Sequence, residues 1–217
     1  MNETLLKAIQ LYATATSDEL LRFLNGLSKP TLIGLFTDLL TFYMNDKNSS
    51  KLRELITAVI SGYEFSTEKL GYNGYKTVAP DGVKVFCEIK PKNIDNCNKK
   101  KLNGGGSFND YTPERFEKDL KENLNIVVSG FVRGKLVYIL EFPFACLKDC
   151  IELKLKKRFG ESMHRRSGEY LRSASFSFKN YKNCPRLKAV YVNPKISQFE
   201  KCLSRELYSF LKRASHG

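Results

Sequence analysis

The sequence lacks the pieces from which several kinds of protein are built. No run of 18 or more apolar residues occurs in its 217 positions, which excludes a helix that spans a bilayer. The opening Met1-Asn2-Glu3-Thr4 carries no basic segment followed by an apolar stretch, so no signal peptide is expected and the reading is a cytoplasmic protein. None of the six cysteines (Cys87, Cys97, Cys146, Cys150, Cys184, Cys202) forms a CxxC pair, and His164 and His216 are the only histidines. Cys146 and Cys150 share a helix face, but no second ligand pair stands close in sequence, so a structural zinc site is not expected. The cysteines read as reduced, mostly packed thiols. No internal repeat is found.

Acidic residues are scarce where basic ones are dense. The net charge is +13, and from Lys148 to Gly217 there are 17 Lys and Arg against 6 Asp and Glu, so the first 147 residues contribute only +2. A positive field confined to one third of the chain suggests a polyanionic partner. Charge alone does not separate DNA from RNA or acidic lipid, and a basic surface without a partner is the plainer alternative.

What is present suffices for a real core: 42% of residues are apolar, with 15 Phe and 11 Tyr, in a chain the size of one ordinary domain. The first 62 residues read as helices. Leu5, Leu6, Ile9 and Tyr12 recur at helical spacing. Thr16-x-x-Glu19 spells a capping box, and Gly26 is a stop. A third helix from Ser28-Lys29-Pro30 to Tyr43 is apolar on more than one face, which suits a buried or shared surface. The helix pair around Ser28 has the outline of a helix-turn-helix, but that apolar face suits dimerisation or scaffolding better than a DNA groove. Asn48-Ser49-Ser50 caps a fourth helix, Lys51 to Ile60.

After Gly62 the period changes. Residues 75–79 and 83–90 read as strands, 103–108 as a flexible glycine-rich loop, and Thr112-Pro113 as a helix start. Residues 125–132 and 135–142 read as a hairpin turning at Arg133-Gly134. A basic helix over 146–159, strands over 171–178 and 187–192, and a closing helix over 196–212 follow. The fold class is α/β: a mixed sheet flanked by helices over 63–217, behind a helical N-terminal region at 1–62.

In Val83-Lys84-Val85-Phe86-Cys87-Glu88-Ile89-Lys90, alternate side chains face opposite ways. Val83, Val85, Cys87 and Ile89 form an apolar face, while Glu88 and Lys90 lie side by side on the other. Phosphodiester hydrolysis uses such a pair. The carboxylate holds Mg2+, which polarises the phosphate and lowers the pKa of a bound water, and the ammonium offsets charge on the transition state. Glu88 and Lys90 are therefore the candidate catalytic residues, with Glu88 and the Ile89 carbonyl as candidate metal ligands. An ExK triplet also arises by chance, and an exposed Glu–Lys pair on a half-buried strand is its plain structural reading. The surrounding residues add context. Gly71-Tyr72-Asn73-Gly74-Tyr75, then Asp81-Gly82, then Glu88-Ile89-Lys90-Pro91 resembles the core hairpin of type II restriction endonucleases of the PD-(D/E)xK nuclease superfamily. The resemblance spans residues 70–145. It implies a restriction-endonuclease-like fold and a Mg2+-dependent homodimeric enzyme that cuts double-stranded DNA at a short sequence.

That pattern calls for a second acid. Asp81 lies on the order of 20 Å from Glu88, at ~3.3 Å per strand residue, and Ala79-Pro80-Asp81-Gly82 has the preferences of a turn. If Ala79 opposes Val83, then Lys76 opposes Phe86 and stands on the Glu88 face, where the resemblance expects the acid. Three explanations stay open. An upstream acid, Glu64, Glu68 or Glu54, completes the site, with Glu64 taken as the third metal ligand. The chain is an inactive or disabled relative. Or the register differs. Glu141 reads either as a partner of Lys90 or as a satisfied structural acid, and Asp110 as a turn residue.

Lys101, Arg165, Arg166, Arg172, Lys179 and Lys182, mixed with His164, Asn180, Tyr181 and Asn183, are the candidate DNA contacts. Phe176 and Phe178 read as core. Two other classes remain: a repair or junction nuclease on the same fold, and a DNA- or RNA-binding protein that has lost its catalytic site.

Overall fold

The computed structural model describes residues 2–44, 50–66, 72–78, 82–122 and 124–215. Four helices come first: α1 Glu3–Thr14, α2 Ser17–Asn25, α3 Lys29–Met44 and α4 Lys51–Ile60. The sheet strands are β1 Glu64–Phe65, β2 Gly74–Val78, β3 Val83–Ile94, β5 Asn125–Val132, β6 Lys135–Pro143 and β8 Lys188–Val192, in the spatial order β1-β2-β3-β5-β6-β8. β3 and β5 are parallel and the other neighbours antiparallel, so the sheet is mixed. A separate antiparallel ribbon pairs β4 Gly106–Tyr111 with β7 Leu171–Phe176. The remaining helices are α5 Pro113–Glu122, α6 Lys148–Phe159, α7 Phe178–Tyr181 and α8 Arg205–Ala214.

Local chemistry sets several boundaries. Thr16 and Glu19 form the reciprocal capping box at the head of α2. Thr112 Oγ1 accepts the Arg115 N–H at 3.2 Å, starting α5 ahead of Pro113. Arg133 and Gly134, with φ of 50° and 76°, make the two-residue turn that matches the twist of β5 and β6. β3 continues through Pro91 because β2 pairs with it only as far as Cys87. The Ile89 N–H points to the β2 side, so the missing N–H at Pro91 faces an edge with no strand to bond.

Each face of the sheet carries its own core. Cys87, Ile89, Val127, Phe131, Leu136 and Ile139 pack against Leu5 and Ile9 of α1 and Leu55 and Ile56 of α4. On the opposite face, Ile126, Val128, Leu140 and Phe142 meet Phe108 of β4, Phe116 of α5, Ile151 and Leu155 of α6, and Leu207 and Leu211 of α8. β5 is buried along its whole length, as a strand covered on both sides must be. Phe176 and Phe178 are core, as expected.

The structure corrects several expectations. Residues 103–108 are not a flexible loop: Gly104, Gly105 and Gly106 are buried, and Gly106 begins β4. The helix over 146–159 starts as a 3-10 turn at Phe144, and the closing helix divides into a 3-10 segment, Ile196–Cys202, and α8. Ser50 makes no side-chain cap to α4, while Asn48 and Ser49 fall outside the described residues. Cys97 is bonded to Cys202 and Cys146 to Cys184, which leaves Cys87 and Cys150 as free thiols. Spacing gave no hint of these pairs, because their partners lie 105 and 38 residues apart.

Candidate active site

The strand alternation of β3 sets Glu88 and Lys90 on the α5 side of the sheet. The Lys90 Nζ donates to Glu88 Oε1 at 2.6 Å, and the two side chains are only 18% and 12% exposed. The Phe108 ring lies under the ammonium, 4.9 Å from its centroid. Gly106 brings β4 against Lys90, since a Cβ there would come within 2.8 Å of the Lys90 Cβ. The glycines thus serve close packing beside the ammonium.

From α5, Arg115 Nη2 stands 3.7 Å from the same Glu88 oxygen, an ion-pair distance beyond hydrogen-bond reach. One turn on, Asp119 Oδ2 is 3.7 Å from Arg115 Nε and accepts the Tyr111 hydroxyl at 2.6 Å. Burial pushes the Asp119 carboxyl above its ordinary pKa, against the opposing pull of the Tyr111 hydrogen bond and the Arg115 charge. Burial and the Asp119 charge hold the Tyr111 phenol far up.

The register of β2 on β3 differs by one residue from the expected one. Val78 pairs with Val83, with four positions between them, and Lys76 pairs with Val85 instead of Phe86. A one-residue slip moves a side chain to the other face. Lys76 therefore points away from Glu88, toward Glu141, whose two oxygens lie 3.0 and 3.3 Å from its Nζ. The Asn125 amide donates to Glu141 at 3.2 Å and to the Tyr63 hydroxyl at 2.9 Å. Glu141 is a satisfied structural acid on the far face from Lys90, and Lys76 does not stand where a metal ligand beside Glu88 would.

Of the upstream acids, Glu64 accepts the Tyr75 hydroxyl at 2.7 Å on β1. It lies two strands out from β3, on the order of 10 Å at ~4.8 Å per strand, and is not brought to Glu88. Glu68 and Asp81 fall outside the described residues. Glu54 of α4 is linked to the β3 edge through a residue that sequence reading passed over. Asn73 donates its N–H to the Cys87 carbonyl at 3.0 Å, although Cys87 already pairs with Gly74. The Asn73 Oδ1 accepts the Ile89 N–H at 2.7 Å, and its Nδ2 donates to Glu54 Oε2 at 3.3 Å. No periodicity marks Asn73; the only sequence hint is a polar residue at the foot of the hairpin.

The cations proposed for DNA contact divide. Arg165 is pinned, donating to both Glu114 oxygens at 2.9 and 2.7 Å and to the Glu169 carbonyl at 3.0 Å. Its hydrogen bond holds the Glu114 carboxyl down to about 2. Lys182 pairs with Glu206 at 3.5 Å. Lys101, Arg166, Arg172 and Lys179 are exposed, as are His164, Asn180 and Asn183. Tyr181 is buried, stacked on Phe142 at 3.8 Å, and so is no base-contacting aromatic. Asp110 is exposed in β4, with a left-handed φ of 49°.

Among the described residues, no three or more His, Cys, Asp and Glu side chains gather to form a metal cage. Mg2+ does not require one, since one or two carboxylates with waters and substrate phosphates usually hold it. The oxygens near the Glu88 strand are the Glu88 carboxylate, the Ile89 carbonyl on the edge past β2, the Asn73 amide oxygen and, behind it, Glu54. These are hard donors, chemically suited to Mg2+. No family model matches the chain, and no curated protein matches it.

Proposed function

We propose that this chain is an endonuclease of the PD-(D/E)xK kind, acting with Mg2+ on phosphodiester bonds of double-stranded DNA at a short sequence and working as a homodimer. The observation that carries the reading is the Glu88–Lys90 pair: a carboxylate and an ammonium 2.6 Å apart, shielded by Phe108 and bordered by a second cation. Glu88 would hold the metal together with the Ile89 carbonyl, and Glu54 would add charge from α4. When bound, Mg2+ lowers the pKa of a water and polarises the phosphate. Before substrate arrives, Glu88 keeps Lys90 aimed at the reacting centre. There the ammonium shifts to the phosphate oxygens or to the attacking water and offsets the negative charge that develops. The poorly solvated setting strengthens that charge–charge interaction.

One observation favours a second reading, a DNA-binding protein with a crippled site. Asn73 presents a neutral amide beside β3 where a carboxylate would complete the ligand set. A mixed-sequence plasmid digest with Mg2+ decides between them. Discrete bands, lost in Glu88→Ala and Lys90→Ala, are expected. Gel retardation without cutting, followed by cutting in Asn73→Asp, would select the second reading; structure-dependent nicks would point to a junction or repair nuclease.

A further inference from the structure

The side chains of Arg115, Asp119 and Tyr111 form an array that the Glu88–Lys90 chemistry leaves unused. Arg115 and Asp119 are four residues apart on α5 and so share a face of the helix. Asp119 is 4% exposed and Tyr111 fully buried. A carboxylate is costly to bury unless it is paired and hydrogen-bonded, and here the phenol and the guanidinium supply both. The result is an Arg whose Nε edge faces Asp119 at ion-pair distance and whose guanidinium carbon lies over the Tyr111 ring, 5.2 Å from its centroid. Its Nη2 points at Glu88, and its side chain is 40% exposed. A guanidinium has five N–H donors in a planar fork. With the Nε edge directed to Asp119 and no contact to Glu88 within hydrogen-bond reach, the Nη groups have donors to offer an incoming ligand.

We infer that Arg115 is a phosphate-binding residue of this site, gripping the non-bridging oxygens of a DNA phosphodiester next to Glu88 and Lys90, and that Asp119 and Tyr111 are positioning residues that hold it in aim. The inference rests on the proposed nuclease reading for the identity of its ligand. The fork geometry suits two phosphate oxygens, which a lysine ammonium cannot engage in the same way. α5 is also anchored by its Thr112 cap and by Phe116 in the core, so the array is not its sole hold.

The test separates binding from hydrolysis. Duplex DNA affinity is measured against salt concentration in EDTA, where no cutting interferes. Each phosphate contact adds about 0.9 to the slope of log affinity against log salt. Arg115→Ala is expected to lower that slope by about one, and Arg115→Lys to keep it because the charge remains. In Mg2+, Arg115→Ala and Arg115→Lys should both lose about 100-fold or more in kcat/KM, as for removal of one oxyanion donor, with partial rescue of the alanine variant by added guanidinium. Asp119→Asn should lower kcat while leaving the salt slope in place. An unchanged slope in Arg115→Ala, with a thermal midpoint reduced to match any activity lost, would make Arg115 a strut between α5 and β3 and overturn the inference. If the wild-type chain binds but does not cut, and the slope still falls, the phosphate contact stands while hydrolysis does not. A wild-type chain that fails to bind duplex DNA overturns both.

Discussion

Lys76 carries its charge to a place that is only partly open to water, with Glu141 beside it and the Tyr63 ring 4.3 Å beneath its ammonium. Lys76→Asp would set one carboxylate against another that is nine-tenths buried, with Asn125 left as the main polar partner of Glu141. Breaking a fully buried pair costs about 3–5 kcal/mol. Lys76 is 31% exposed, so water screens part of that loss, and on the order of 2 kcal/mol is expected. Chemical denaturation should read that loss, and cleavage should not rise. A rise would mean that position 76 reaches Glu88 after all. Asn73 is the converse case, a residue that touches β3 directly and whose replacement by a carboxylate adds charge where the oxygen donors are. The sequence made the Glu88–Lys90 pair legible because alternation along one strand needs only a local rule. It did not make the partner legible, because Ala79-Pro80-Asp81-Gly82 suits a turn of three residues or of four. That single choice decides which face Lys76 takes.

At the scale of elements, signals carried by neighbouring residues were the readable ones. The capping box of α2, the Thr112 start of α5 and the Arg133–Gly134 turn each depend on groups within a few residues of one another. β4 was missed for the opposite reason. Its six residues gain strand character from pairing with β7, 60 to 70 positions later, and its glycines read as flexibility when they in fact allow close approach. Gly106 makes the consequence testable. A methyl group there would meet the Phe176 ring at 2.7 Å and the Lys90 Cβ at 2.8 Å. Neither neighbour gives way easily, because Phe176 is buried and Lys90 is fixed at the root of the Glu88 pair. Gly106→Ala should therefore cost about 1–3 kcal/mol, the usual range for overpacking, and shift β4 away from β3. On the nuclease reading, cleavage should fall further than stability alone accounts for, since the ammonium moves while every reacting group stays in the sequence. Melting and cleavage measured on the same preparation decide it, and an unchanged melting midpoint would show that β4 accommodates the methyl.

At the scale of the molecule, the two faces of the sheet are covered differently. The face carrying Glu88 is closed by the β4–β7 ribbon, α5, α6 and α8, whereas the helices over the other face turn apolar side chains outward. Ile33, Phe36 and Tyr43 of α3 are 58%, 67% and 57% exposed, and Leu21 of α2 is 53% exposed. Beside them, a cavity of about 450 Å3 between α1, α2, α3 and α4 is lined by apolar side chains, among them Ile9, Tyr12 and Phe36. A cluster of exposed large apolar residues is the usual mark of an association surface. On the proposed reading, the occupant is a second copy of the chain, and the reason is catalytic as well as structural. One Glu88–Lys90 pair serves one displacement at one phosphorus, so a single copy breaks one strand per encounter; cutting both strands at one site calls for two. Phe36→Glu places a charge at the centre of that surface without emptying any core. Sedimentation should show a dimer for the wild-type chain and a monomer for Phe36→Glu, with closely similar melting of the separated monomer. With supercoiled plasmid in Mg2+, the wild-type chain should give linear product directly, while the variant accumulates nicked circles before any linear form. A variant that remains dimeric, or that still linearises plasmid without a nicked intermediate, would place the dimer contact elsewhere than α3.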